Sequence, residues 1–185
     1  MSNILSHHGQ DINAEKVHIF WEEFMRSAIA ITIAACLAIM LGVEARAQAP
    51  TVYGEPISIE NAKKAAAAAE AEAKKNNWSM CISVVAPSGD LVYFERMDNC
   101  QYASIKISQH KARAAAIYRR SIKTFADRIA QGGGGLTVLT LDDVVASDGG
   151  YPLVMGGKVV GAIGCSGGSA QEDGQTCQAG VTALK

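Results

Sequence analysis

Hydrophobic and polar positions along the chain follow two periods, and the change from one to the other falls at glycine, proline or asparagine. From Ile59 to Lys75 alanine recurs at three- and four-residue spacing behind Ser58, which predicts a capped helix. It ends at Asn76-Asn77, where an asparagine tolerates left-handed backbone. Met80 to Ala86 and Leu91 to Met97 are β-rich runs around Pro87-Ser88-Gly89-Asp90 and read as a hairpin. Helical spacing returns from Ala103 to about Arg119, and again from Ile122 to Ala130 behind Ser121. Gly132 to Gly135 predict a flexible loop, Leu136 to Leu141 a strand, and Asp142 to Gly150 a loop. Pro152 to Met155 and Lys158 to Gly164 form a second hairpin closed at Gly156-Gly157, and a last helix starts near Ser169 and includes Gln171 to Leu184. No internal repeat interrupts this order. Helix, two strands, helices, three strands and helix make an α+β chain, so the sheet is expected to be mostly antiparallel with helices packed on it.

The front of the chain has a different character. Ala28 to Val43 is sixteen residues without a charge, Arg26 precedes it, and Ala45-Arg46-Ala47 follows with small residues where a signal peptidase reads. An export signal cleaved after Ala47 accounts for this pattern, placing the mature protein in the periplasm or outside the cell. The competing reading is an uncleaved membrane anchor, although the run is shorter than the roughly 20 residues that span a bilayer. Upstream, Met1 to Phe24 carries Glu22, Glu23 and the histidines His7, His8 and His18, a poor start for a signal, whereas Met25-Arg26-Ser27 is an ordinary one. The expected organisation is therefore an upstream extension at 1–24, a signal at 25–47, a linker at 48–56 and one domain at 57–185. A mature chain of that size suits a single core.

Residues 48–185 hold fourteen Lys plus Arg against thirteen Asp plus Glu, so net charge selects no partner. Its distribution is more informative. Between Asp98 and Asp127 there is no acid, yet Lys106, Lys111, Arg113, Arg119, Arg120 and Lys123 all fall there. Such a run is either a solvated helix face or a site for carboxylates or phosphates. Aromatic residues are too sparse around it to stack the bases of a nucleic acid. A second anion site is offered by Ser166-Gly167-Gly168-Ser169, whose backbone N–H groups open the last helix. Glu172 and Asp173 in that helix's first turn already answer its dipole.

Several spaced motifs now agree in order: Cys81-Ile-Ser-Val-Val-Ala-Pro-Ser-Gly-Asp90 leading to Phe94-Glu-Arg-Met-Asp98, Ala103-Ser-Ile-Lys-Ile-Ser108 with Lys111-Ala112, Gly149-Gly-Tyr-Pro152, and Gly161-Ala-Ile-Gly-Cys-Ser-Gly-Gly168 with Glu172-Asp-Gly-Gln175. From Ile57 to Leu184 the chain closely resembles the GlcG/HbpS-like haem-binding family, which also includes the C-terminal domain of PduO corrinoid adenosyltransferases. The resemblance implies a profilin-like or roadblock-like five-stranded antiparallel sheet, with the last strand central beside the first, in a homo-oligomer. It implies haem as ligand, with a corrinoid behind it, and leaves open a small carboxylate of a glycolate-type oxidative pathway or a haem-degrading activity. Family members commonly have proline after the pair matching Arg119-Arg120, where this chain has Ser121, so the basic corner is expected to be less rigid.

In a sheet of that kind Gly161 and Gly164 lie where a helix or a ligand can approach the backbone. It would also bring Cys81, Cys100, Cys165 and Cys177 toward one end of the molecule. Four cysteines in an exported chain point to disulfides, of which three pairings remain open; a tetrathiolate zinc site is the rival, without any C-x-x-C pair to support it. His110 is the one histidine after the signal and shares a helix face with Ala103, Ile107, Ala114 and Ile117. It is either a half-buried core histidine bonded to a carbonyl or an axial ligand to haem iron, with Lys106, Lys111, Arg113, Arg119 and Arg120 pairing the propionates. Tyr102, Tyr118, Tyr151 and Met97 are further iron-ligand candidates. No hydrolase, zinc-protease or phosphate-loop motif is present, and only residue type recommends a Ser166, His110, Asp148 triad.

Overall fold

The computed structural model describes Trp21, Met25 and residues 52–185. The chain divides into two compact units, Met1–Gln48 and Ala49–Lys185. The expected upstream extension and export signal lie outside the described residues apart from Trp21 and Met25. Among the described residues no helix is long and apolar enough to cross a membrane.

The elements of the second unit run α1 (Ile59–Lys75), β1 (Cys81–Val85), β2 (Leu91–Arg96), α2 (Tyr102–Tyr118), α3 (Lys123–Ala130), a 3-10 helix (Gly133–Thr140), β3 (Gly150–Met155), β4 (Lys158–Ser166) and α4 (Ala170–Thr182). Ser58 caps α1 by accepting from Asn61 N at 3.2 Å, and Asn77 just beyond its end has φ 58°. The second hairpin closes at Gly156 and Gly157, with φ 56° and 75°. Ser169 and Glu172 form a reciprocal capping box at the start of α4.

The sheet has four strands in the order β2-β1-β4-β3, every neighbouring pair antiparallel. As expected, β4 is central and pairs with β1. Where the β1 pairing ends, residues 53–57 continue that side of β4, with Gly54 N and Ile57 N donating to the carbonyls of Val159 and Val160 at 2.8 and 2.7 Å. Helices α1 and α4 cover one face, α2 the other. The alanines of α1 (Ala62, Ala65, Ala66, Ala69 and Ala73) are wholly buried with Ile82, Val84, Leu153 and Ile163. They act as spacers that let two backbones meet: a Cβ on Gly180 of α4 would lie 2.7 Å from the Ala65 carbonyl oxygen.

The expected fifth strand, Leu136 to Leu141, is instead the 3-10 helix. Its sequence Leu-Thr-Val-Leu-Thr-Leu repeats every three residues, the period at which 3-10 side chains eclipse. Thr137 and Thr140 reinforce that winding by donating to the carbonyls of Gly134 and Thr137 at 2.8 and 2.7 Å. Only Val138 is buried, and Leu139 is 68% exposed, so the segment lacks the apolar face a strand would need.

Gly164 decides how close α2 comes to the sheet. A Cβ there would fall onto the Ser108 carbonyl oxygen and lie 2.5 Å from Ala112 N, both in the backbone of α2. Helix packing is therefore what this strand gains from its missing side chain. Gly164→Ala is expected to lower stability by about 1–3 kcal/mol, because neither backbone can yield without moving α2. Denaturant unfolding of the variant checks this; an unchanged midpoint would mean that the helix rides up without cost.

Candidate functional site

Helix α2 carries most of the residues that the sequence marks for chemistry, and its faces have different fates. One face is buried on the sheet. Ser108 Oγ lies 2.8 Å from Ser83 Oγ of β1, and Ser166 Oγ at the end of β4 donates to Ser104 Oγ at 3.0 Å. These hydroxyl pairs satisfy one another in the dry layer, as buried polar groups must.

Lys111 belongs to this buried face. Its side chain is 2% exposed, and the ammonium donates to Asp173 Oδ2 of α4 at 2.7 Å and to the Asp148 carbonyl at 2.5 Å. The other carboxylate oxygen of Asp173 accepts from Gly168 N at 3.0 Å. Burial raises the Asp173 carboxyl above its usual range, against the pull of Lys111 and of the Gly168 and Gly167 amides. Lys111 is thus an internal tie between α2, the loop before β3 and α4.

The same bonds settle what sits over the Ser166 to Ser169 turn. Gly168 N goes to Asp173, and Ser169 N to Glu172 Oε2 at 2.7 Å. The cradle exists, and the chain's own carboxylates fill it. A side chain at Gly167 would not fit, since a Cβ there would collide with the Ser79 carbonyl.

The solvent face of α2 is different. Tyr102, Ala103, Lys106 and His110 are exposed, so His110 is not a half-buried core residue. Tyr102, Lys106 and His110 follow one another at four-residue intervals and form one stripe. Among the described residues, neither Lys106 nor His110 has a hydrogen-bond or ion-pair partner, and Tyr102 is 79% exposed beneath the Arg96 guanidinium, 4.7 Å from its ring centroid. The remaining cations are engaged. Arg113 Nε donates to Asp143 Oδ2 at 2.9 Å, Arg120 Nε to the Tyr118 carbonyl at 3.0 Å, and Lys123 pairs with Asp127 at 2.7 Å. Arg119 ends α2 in left-handed backbone, φ 54°, with its guanidinium 5.2 Å from the ring centroid of Tyr53.

The other iron-ligand candidates are less available. Tyr118 donates to the Asp142 carbonyl at 2.9 Å, and Met97 packs against the core under α1. Tyr151 donates to Asp148 Oδ1 at 2.6 Å, and burial together with that carboxylate raises its phenol far above the usual value, which keeps the proton on. Asp148 Oδ1 also accepts from Gly149 N at 2.6 Å, Ser166 is bonded to Ser104, and His110 is on the far side of α2. The Ser166, His110, Asp148 combination is therefore not assembled.

The four described cysteines are buried in two disulfides, Cys81–Cys100 and Cys165–Cys177, with Cα separations of 6.1 and 5.6 Å. The register explains why they gather. Cys81 stands opposite Ser166 and Ile82 opposite Cys165, so both bridges sit at the same end of the β1–β4 pair. The tetrathiolate reading falls with them.

Over residues 57–182 the sequence matches the family described as haem degrading protein HbpS-like. The chain belongs to that family. Among HbpS-like relatives, the protein GlcG of Escherichia coli K12 is 37% identical over 110 residues, which is 60% of this chain and 81% of GlcG. The crystal structure of HbpS superposes with a TM-score of 0.65 at 28% identity, covering 77% of this chain and 99% of that one. A PduOC–haem complex has the same fold, with a TM-score of 0.64 at 24% identity over 70% of this chain and 96% of that one. For an HbpS-like chain, two features escaped the sequence reading. Asp173 as partner of Lys111 had no local signal, because 62 residues separate the two. Phe94 belongs to a recognised motif, yet nothing in its neighbours marks it as half-buried outside both core clusters.

Proposed function

We propose that the protein is an exported tetrapyrrole-binding protein, a carrier, buffer or sensor component for haem, which it holds against α2. The observation that carries this reading is the exposed stripe of Tyr102, Lys106 and His110, two iron-ligand side chains flanking a cation with no partner among the described residues. The family description names haem, and one structure of the same fold is itself a haem complex. The donor set suits the group: a phenol or an imidazole ligates ferric iron, and an ammonium pairs a propionate. Haem, when bound, supplies a redox-active iron; the residues of this chain bind and orient it. The paired cysteines accord with an oxidising compartment.

A titration of oxidised residues 48–185 with haemin tests the reading. A saturable shift of the Soret band is expected, weakened about tenfold in Lys106→Glu through loss of one charge-assisted contact. No shift beyond that given by an unrelated protein would overturn haem binding and return attention to small carboxylates.

A further inference from the structure

Helix α2 does not cover the whole sheet. Its main packing is on β4, β1 and β3, and stops short of the edge strand β2. Register shows what is left open. Phe94 stands opposite Ser83, and Ser83 points at Ser108 of α2, so Phe94 lies on the α2 side of the sheet, one strand further out. Its ring is half-buried and packs against neither of the two core clusters.

The helix supplies the facing wall. Taking Ser108 as the direction toward the sheet, the 3.6-residue turn sets Ile105, Gln109 and Tyr102 about 60° to 120° round the helix. That flank is the β2 side, because Arg96 of β2 stacks on Tyr102 at one end and Arg113 Nη1 reaches the Ser88 carbonyl of the β1–β2 turn, 3.5 Å away, at the other. Between these brackets lie the half-buried Phe94 of β2 and Ile105 of α2. Cations flank them: Arg96 and Lys106 have no acidic partner among the described residues, while Arg113 is held by Asp143. Glu95 lies on the opposite face of β2, beside Tyr93, and Asp98 follows the strand's end.

Resting on the reading above, we infer that a groove between α2 and β2 seats the ring of the tetrapyrrole, with Phe94 beneath the macrocycle, Arg96 and Lys106 on its carboxylates and Tyr102 at the iron. A flat apolar body with acidic groups on its rim matches an aromatic floor between cations. The geometry also chooses between the two iron-ligand side chains of the stripe. His110 is about 200° round α2 from Ser108 and points away from the sheet, so a ring lodged in the groove meets Tyr102 and not His110.

Metal-free protoporphyrin, followed by its fluorescence, tests the seat without any iron ligand, and haemin absorbance tests the ligand. Phe94→Asp is expected to weaken both by on the order of a hundredfold, and Phe94→Trp to preserve both. Tyr102→Phe should leave protoporphyrin binding unchanged and remove the phenolate signature from the haemin spectrum. Circular dichroism and melting of each variant separate lost binding from lost folding. Haemin binding unaffected by Phe94→Asp would overturn the groove and leave tetrapyrrole binding standing. So would a haemin spectrum abolished by His110→Ala and indifferent to Tyr102→Phe, or a Phe94→Asp variant that changes only its mass in solution, which marks the groove as a contact between copies. A wild-type protein that binds neither ligand would overturn both readings.

Discussion

Lys111→Met is expected to lower the unfolding free energy by about 3–5 kcal/mol, the usual cost of removing one partner from a buried ion pair. The reason lies in what remains. Asp173 would keep the burial that raises its pKa and lose the cation that opposes it, and the Asp148 carbonyl would lose its donor. The sign of the pH dependence follows. With its folded pKa raised further above the unfolded value, Asp173 binds its proton more tightly in the folded variant. The variant therefore regains stability as pH falls through that pKa and loses it as pH rises. Urea unfolding at pH 7 and pH 5 reads both effects. Lys111→Met combined with Asp173→Leu should recover part of the loss, since no charge is then stranded. A Lys111→Met protein as stable as wild type at pH 7 would mean that water reaches the pair, contrary to its burial.

Reduction of the two disulfides should cost a comparable amount. They close loops of sequence separation 19 and 12, and chain entropy assigns each about 3 kcal/mol. The loops do not overlap, so the losses are expected to add, and together they approach the whole stability of an ordinary domain. Cys165 and Cys177 also fasten β4 to α4, beside Gly149, whose carbonyl lies 3.4 Å from Cys177 Sγ. Melting with and without a strong dithiol reductant, and of Cys81→Ser with Cys100→Ser or Cys165→Ser with Cys177→Ser, apportions the effect. A transition that does not move on full reduction would show that buried packing alone holds this end of the sheet.

Much of the architecture was legible from local pattern. The cap at Ser58, the left-handed asparagine after α1, the glycine pair of the second hairpin and the start of the last helix at Ser169 are short-range devices, and each lies where its residue types predict. The segment Leu136 to Leu141 misled because apolar and polar positions that repeat every three residues resemble alternation in so short a window. The candidate site was legible only in part. His110, Lys106 and Tyr102 could be picked out by type and helical spacing, but spacing alone cannot say which side of a helix meets the sheet.

Lys111 shows the limit most plainly. In the sequence it is one more cation in a basic run, equivalent to Lys106 five residues before it. In the fold one ammonium is buried against Asp173 and the other is in water. The sequence by itself determined the α+β order, the turn positions, the acid-free run and the family, because these depend on neighbouring residues or on spaced motifs. Only the tertiary structure decided the disulfide pairing, the burial of Lys111, the self-filled turn at Gly168 and the place of Phe94 outside the core clusters. Each of those depends on how α2 and α4 lie against β1, β2 and β4, and that is set by which backbones can approach at Gly164 and Gly180.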